Sequence, residues 1–307
     1  MARTYIGVDL GGTKIEAAAL DQRGRVLFRH RAPTPQGDYR ATIGVIVSLV
    51  DRIENELGSS ATVGVGTPGT TSASGVMKNS NSVCLISRPL KTDLEYALNR
   101  PVRIANDANC FALSESVDGA AKGASVAFGV ILGTGVGGGL VVDGRVITGK
   151  NGIAGEWGHN PLPWPGSTEI AGPLCYCGKH GCVETFLSGP GMVRSHRERT
   201  GLEVSSTEIV GRAARGDRLC RLTLETYVDR LARALALVIN ILDPDVVVLG
   251  GGMSNIPILY DEVPLLWGRY VFSDRVDTVL RRALHGDSSG VRGAAWLWKE
   301  PGNSASL

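Results

Sequence analysis

Two patterns of apolar and polar positions alternate along the chain. Short β-branched runs that end in glycines, "TVGVGTPG" (62–69) and "DVVVLGGG" (245–252), predict buried strands. Each follows a longer segment with apolar residues at three- and four-residue spacing. These segments, "TIGVIVSLVDRIENEL" (42–57) and "LTLETYVDRLARALALVINIL" (222–242), predict amphipathic helices. A third pattern is strand, glycine-rich turn, strand. It occurs in "IGVDLGGTKIEAAALD" (6–21) and again, aligned without gaps, in "FGVILGTGVGGGLVVD" (128–143). After each copy, "GRVL" (24–27) and "GRVI" (144–147) add a third strand. The same meander, helix and strand therefore occur twice in the same order. Chance hairpins would not repeat that order, so a duplicated α/β core is the better reading. Open α/β sheets bind ligands at the carboxyl ends of their strands, so two facing halves would put their glycine loops around one cleft.

The copies differ at one chemically informative position. Asp9 in the first corresponds to Ile131 in the second. A carboxylate at a strand end beside a glycine loop fits a metal-bound nucleotide, through Mg²⁺ or its waters; otherwise it caps its own turn. The loops are "DLGGTK" (Gly11, Gly12, Thr13, Lys14), "LGTGVGGG" (Gly133, Thr134, Gly135, Gly137) and "LGGGMSN" (Gly250, Gly251, Gly252). None has P-loop or dinucleotide-fingerprint spacing. What they offer is runs of backbone N–H groups with nearby hydroxyls, the makings of anion-binding turns for ATP.

Composition narrows the class. Of 307 residues, 43% are hydrophobic and 20% charged, an ordinary globular balance, and the net charge of +2 is dispersed. No basic arm or membrane-surface helix is present, so neither nucleic acid nor membrane is an expected partner. The N-terminal run "MARTYIGVDLGG" lacks the charged and apolar regions of a signal peptide. The longest apolar stretch (231–242) is too short for a bilayer and is broken by Arg233. A cytoplasmic protein is expected, where disulfides are rare. Yet three of six cysteines crowd into "CYCGKHGC" (175–182). Their spacing is not that of a redox C-x-x-C. Three thiolates and one imidazole suit structural zinc, with His159, His180 or Cys220 as the fourth ligand beside Cys175, Cys177 and Cys182.

"GVDLGGTK", "GVILGTGVGGGLVVDGRVITGKNGIAGEWGH" and "CYCGKHGCVE" together resemble the ROK family of repressors, open reading frames and kinases, from Tyr5 to about Lys299. The resemblance implies the actin-like ATPase (ribonuclease H-like) duplicated fold of the hexokinases, with two lobes around a cleft. The first lobe would span 1–120 with a C-terminal helix near 290–300 packed back on it. The second would span 121–289, and the tail 301–307 would be disordered. Family repressors carry an N-terminal DNA-binding domain. Asp9 lies eight residues from the start here, which favours the kinase branch.

In that family "NDAN" (106–109) marks the catalytic acid–base group. Asp107 is thus the expected base accepting the sugar hydroxyl proton, though Asp at a helix start is also a favoured N-cap. The resemblance lines the sugar pocket with Asn106, Asp107, Glu156, His159 and Glu184, and less securely Asn81. It also selects His159 as the fourth zinc ligand, leaving its other ring nitrogen to face a sugar hydroxyl. Four protein ligands would make that zinc structural. Three stretches, 29–43, 155–164 and 285–298, resemble the fructokinase or manno(fructo)kinase branch. The expected reaction is therefore ATP- and Mg²⁺-dependent phosphorylation of D-fructose, and of mannose, at the 6-hydroxyl. N-acetylglucosamine kinase and glucokinase are the enzyme alternatives, and a non-catalytic sugar-sensing regulator is the alternative of another class. The family also implies a homodimer.

Overall fold

The structure, a computed structural model, describes residues 3–80 and 82–300. Asn81 and the 301–307 tail lie outside the described residues. Contacts group the chain into two compact units. Among the described residues, the first comprises those of 3–123, 139–154 and 284–300, and the second 124–138 and 155–283. The stretch 139–154, counted above with the second lobe, falls in the first unit here.

The first sheet has strands β1 (Tyr5–Leu10), β2 (Lys14–Leu20), β3 (Val26–Pro33), β4 (Thr62–Thr67) and β7 (Val102–Asn106), in the order β3-β2-β1-β4-β7. A small hairpin, β5 (Thr70–Thr71) and β6 (Met77–Lys78), follows β4. β1, β4 and β7 pair in parallel, and β2 alone runs against them, antiparallel to both β1 and β3. Helix α1 (Tyr39–Leu57) starts where the Asp38 carboxylate accepts the Ala41 N–H, and ends at Gly58 in a left-handed conformation. Its buried stripe of Ile46, Leu49, Val50 and Ile53 packs with Ile6, Val8, Ile15, Val63 and Val65 in one core. Each such side chain contributes roughly 1.5–3 kcal/mol of burial. Helices α2 (Leu90–Leu98) and α3 (Asp107–Asp118) flank β7 in the chain.

Helix α9 (Ser289–Trp296) packs within this first unit, by side chains such as Trp296 against Tyr5 and by close backbone approach. A Cβ at Gly7 would collide with the Val291 carbonyl, at Gly64 with that of Ala294, and at Gly293 with that of Cys110. Glu115, almost fully buried on α3, accepts bonds from the backbone N–H groups of Ala120, Leu284 and His285 and from the Ser289 hydroxyl. That carboxylate pins the entry into α9.

The second sheet repeats the plan. Strands β8 (Val126–Leu132), β9 (Val136–Val142), β10 (Arg145–Ile147), β11 (Val246–Gly250) and β12 (Val279–Arg282) lie in the order β10-β9-β8-β11-β12. The register shifts the second half of the repeat by one residue. Ile6 lies opposite Val63 and Phe128 opposite Val247, so Val63 is equivalent to Val247 rather than Val246. Asp9 then faces Gly66 as Ile131 faces Gly250. A third equivalent pair, β7 and β12, escaped the sequence comparison. Its strands are short and have no shared motif.

The remaining helices of the second unit are α4 (Val183–Leu187), α5 (Gly189–Thr200), α6 (Ser206–Ala214), α7 (Arg218–Leu242) and α8 (Ile258–Trp267). Glu169 ties the 163–169 segment to α7 through Arg230 and Arg233. Burial raises its pKa, but the two guanidiniums outweigh that and hold the carboxyl at about 2. No helix among the described residues is long and apolar enough to cross a membrane.

Candidate active site

The first unit carries the expected catalytic carboxylates. Asp107 begins α3, directly after β7. Asn106 is the N-cap: its Oδ1 accepts the Ala108 and Asn109 N–H groups, at 2.9 and 3.4 Å. Its Nδ2 donates to the Gly69 carbonyl. The capping duty that competed for Asp107 therefore falls mainly to its neighbour. Asp107 Oδ1 takes a further bond from the Ala108 N–H at 2.8 Å.

Asp9 sits at the carboxyl end of β1 and is partly buried, and no hydrogen bond to its carboxylate is seen among the described residues. The carboxylate rests against Gly290, where a Cβ would stand 2.8 Å from Oδ2. Burial, chiefly, and then the negative charges of Asp107 and Glu16 push its pKa up to about 6, against the pull of Lys14. A partly buried carboxylate with like charges beside it, and no hydrogen bond among the described residues, fits a cation. Asp9 could hold Mg²⁺ or its waters there.

Between Asp9 and β2, the Gly11 N–H donates to the Lys14 carbonyl to close a turn. Every carbonyl of Gly11, Gly12 and Thr13 is occupied: by the Thr34 hydroxyl, the Gln36 amide and the Thr34 N–H. With its oxygens bound, such a loop offers its N–H side to an anion. Thr34 and Gln36 were not anticipated from sequence. They lie at the end of β3, in a stretch without any phosphate-loop motif.

The second unit holds a cavity of about 1000 Å³, in the upper range for small-molecule sites. Gly133, Thr134 and Gly252 of the predicted loops line it. Gly251, at φ 80°, has the Leu132 backbone where a Cβ would be, so its part is close approach. Gly135 and Gly137 meet other partners, the Glu184 carboxylate and the Trp157 indole N–H. The lining also includes Pro190, Val193 and Arg194 of α5, with Ser205, Ser206, Thr207 and Val210 at the start of α6. That part of the lining was also missed. Its signal is "SSTE", a capping-box sequence, in which the Ser205 hydroxyl accepts the Glu208 N–H.

Also in the second unit, Glu156 is exposed and Trp157 buried, followed by Gly158, whose Cβ position is filled by the Val136 carbonyl. Trp157 fixes the segment by donating Nε1–H to the Gly137 carbonyl at 2.9 Å and packing edge-on against Phe128. Glu184, in the first turn of α4, accepts the Val136 N–H at 2.9 Å through Oε2.

The cluster forms as expected. Ligand atoms of His159, Cys175, Cys177 and Cys182 all lie within 4.8 Å of one another. Cys177 and Cys182 sulfurs are 3.6 Å apart, as are Cys175 Sγ and His159 Nδ1. A zinc tetrahedron with Zn–S of about 2.3 Å and Zn–N of about 2.1 Å needs edges of roughly 3.6–3.8 Å, so donor set and spacing both fit. His180 instead faces the Gly172 carbonyl, and Cys220 is buried on α7. Burial foremost pushes the Cys182 thiol up to about 12, while bonding from the Lys179 N–H lowers Cys177. A bound divalent ion would deprotonate both. The second nitrogen of His159 differs from expectation: Nε2 lies 2.9 Å from the Tyr176 hydroxyl rather than standing open.

Residues 5–301 match the ROK family. The chain belongs to the ROK family. This ROK chain is 41% identical over 299 residues to N-acetyl-D-glucosamine kinase of Photobacterium profundum, covering 95% of this chain and 98% of that protein. Among solved structures it is similar to the ROK hexokinase from Thermus thermophilus, with a TM-score of 0.85, 33% identity, and 95% and 96% of the two chains covered. It is also similar to a ROK family glucokinase from Streptomyces griseus, solved with glucose and AMPPNP, with a TM-score of 0.76, 27% identity, and 96% and 98% covered. The fold is accordingly the actin-like ATPase fold, and the chain is a sugar kinase of its family.

Proposed function

We propose that this ROK kinase transfers the γ-phosphoryl of ATP to the 6-hydroxyl of N-acetyl-D-glucosamine. The observation that carries the reading is the 41% identity to a kinase of that name over nearly the whole of both chains. For this reason the acetamido sugar is preferred here to fructose, which rested on three shorter stretches. Phosphoryl transfer asks the protein for positioning and charge control.

Asp107 accepts the hydroxyl proton as the new P–O bond forms. Asn106 fixes the start of α3 and so the orientation of that carboxylate. Asn81, Glu156, His159 and Glu184 are assigned to sugar hydroxyls, Glu184 through Oε1, which faces the Cys175 thiol, and His159 through Nε2 in exchange for the Tyr176 hydroxyl. The loops at Gly11–Lys14, Gly133–Gly137 and Gly250–Gly252 take the nucleotide. Asp9 would hold Mg²⁺, which when bound would neutralise phosphate charge. His159, Cys175, Cys177 and Cys182 would hold zinc in a structural role, setting the His159 ring and the start of α4.

The test is product analysis. With ATP and Mg²⁺, N-acetyl-D-glucosamine should give a single phosphomonoester whose phosphorus couples to the C6 protons in NMR, and the 6-deoxy analogue should give none. Phosphate on another carbon would refute the assignment. Failure of every hexose to drive ATP consumption would leave the non-catalytic sugar sensor as the reading.

A further inference from the structure

The Val136 peptide is gripped from two sides. Its N–H donates to Glu184 Oε2 at 2.9 Å, and its carbonyl lies against the Cα of Gly158, where any Cβ would collide with it. Those two contacts come from the two segments that carry cluster ligands. Gly158 precedes His159, and Glu184 is two residues beyond Cys182. The segments are further joined by the Val183 N–H, which donates to the Asn160 carbonyl at 2.8 Å. Glu184 Oε1 lies 3.9 Å from Cys175 Sγ.

Val136 ends the loop that lines the cavity through Gly133 and Thr134. The far end of that loop is held by the Gly189 N–H, which donates to the Gly133 carbonyl. Gly135 has no side chain because a Cβ there would stand 2.6 Å from Glu184 Oε2.

We propose that Glu184 and Gly158 clamp the Val136 peptide, and that the four-ligand cluster, by binding their segments together, sets the affinity of the cavity loop for nucleotide. The proposal rests on the kinase reading for the identity of that ligand. It makes Glu184 a positioning residue for the nucleotide as well as a sugar contact, and it gives the cluster a task on the ATP side.

The experiment titrates ADP with Mg²⁺ into the full chain by calorimetry, without sugar, so turnover does not enter. Glu184→Ala should weaken ADP about tenfold, the loss of one charge-assisted hydrogen bond, while the metal content stays that of the unsubstituted protein. Glu184→Gln, whose amide oxygen still accepts the Val136 N–H, should stay within about twofold of the unsubstituted protein. Cys177→Ser should also weaken ADP, and adding it to Glu184→Ala should cost nothing further, because both act through one peptide. Hydrogen exchange at the Val136 amide should quicken in Glu184→Ala and not in Glu184→Gln. Should Cys177→Ser fail to fold, the alanine and glutamine pair with the exchange measurement decides. Equal ADP affinity in Glu184→Ala, or additive losses in the double variant, overturns the clamp and leaves the kinase reading standing. An unsubstituted protein that binds no ADP overturns that reading, and the clamp with it.

Discussion

Asp9 gives a prediction whose size follows from its surroundings. Its pKa is pushed from 3.8 to about 6, mainly by burial and then by Asp107 and Glu16. The folded state therefore binds the proton more tightly than the unfolded chain does. The stability linked to this group is fully present below about pH 3.8, declines as pH rises toward 6, and is gone above it. Two pKa units correspond to about 3 kcal/mol, so at pH 8 the ionised Asp9 costs the apo protein about that much. Asp9→Asn removes the charge but leaves a buried amide, which costs about 1 kcal/mol if unpaired. The net gain at pH 8 should be about 2 kcal/mol, or a melting temperature higher by about 4 °C or more. At pH 5 roughly two-thirds of the gain should be gone, because the carboxylate of the unsubstituted protein is then mostly protonated when folded. Thermal melts of the apo protein at both pH values measure this. A variant less stable than its parent at pH 8 would refute the reasoning, since the carboxylate would then be a net structural contributor. The stabilised variant should also lose most of its turnover, the mark of a group retained for its ligand.

Asp107→Asn should lower kcat by about 10²-fold or more while leaving the melting temperature within a few degrees, because Asn106 carries the cap; steady-state rates and melts measure both. Asn106→Ala should lose about 1 kcal/mol or more of stability through the lost cap, together with sugar affinity, read by urea unfolding and sugar titration. His159→Ala should lose metal by elemental analysis and weaken sugar binding, whereas His180→Ala should change neither. Stoichiometric zinc retained in His159→Ala would contradict the ligand assignment.

Much of the fold was legible because glycine and β-branched residues mark strand ends strongly, and because the duplication repeats those marks. The β1–β3 and β8–β10 meanders lie as the alignment placed them. The one-residue shift at β4 and β11 was not legible. Both runs are uniformly apolar, so their pattern fixes no register, and only pairing with Ile6 and Phe128 does. The cluster was legible as a donor set; spacing alone left three candidates for its fourth ligand, the family resemblance selected His159, and the folded chain puts His159 Nδ1 beside Cys175. Thr34, Gln36 and the α5–α6 wall were invisible for another reason. They act through loop backbone and helix starts, where many residue types serve and no spacing announces a ligand.

The specificity constant kcat/KM for N-acetyl-D-glucosamine against D-fructose, D-mannose and D-glucose, with ATP and Mg²⁺ in excess, decides which sugar the kinase prefers. The highest value is expected for N-acetyl-D-glucosamine, by about tenfold or more if the acetamido group makes one good hydrogen bond in the transition state. An equal or higher value for fructose would contradict it.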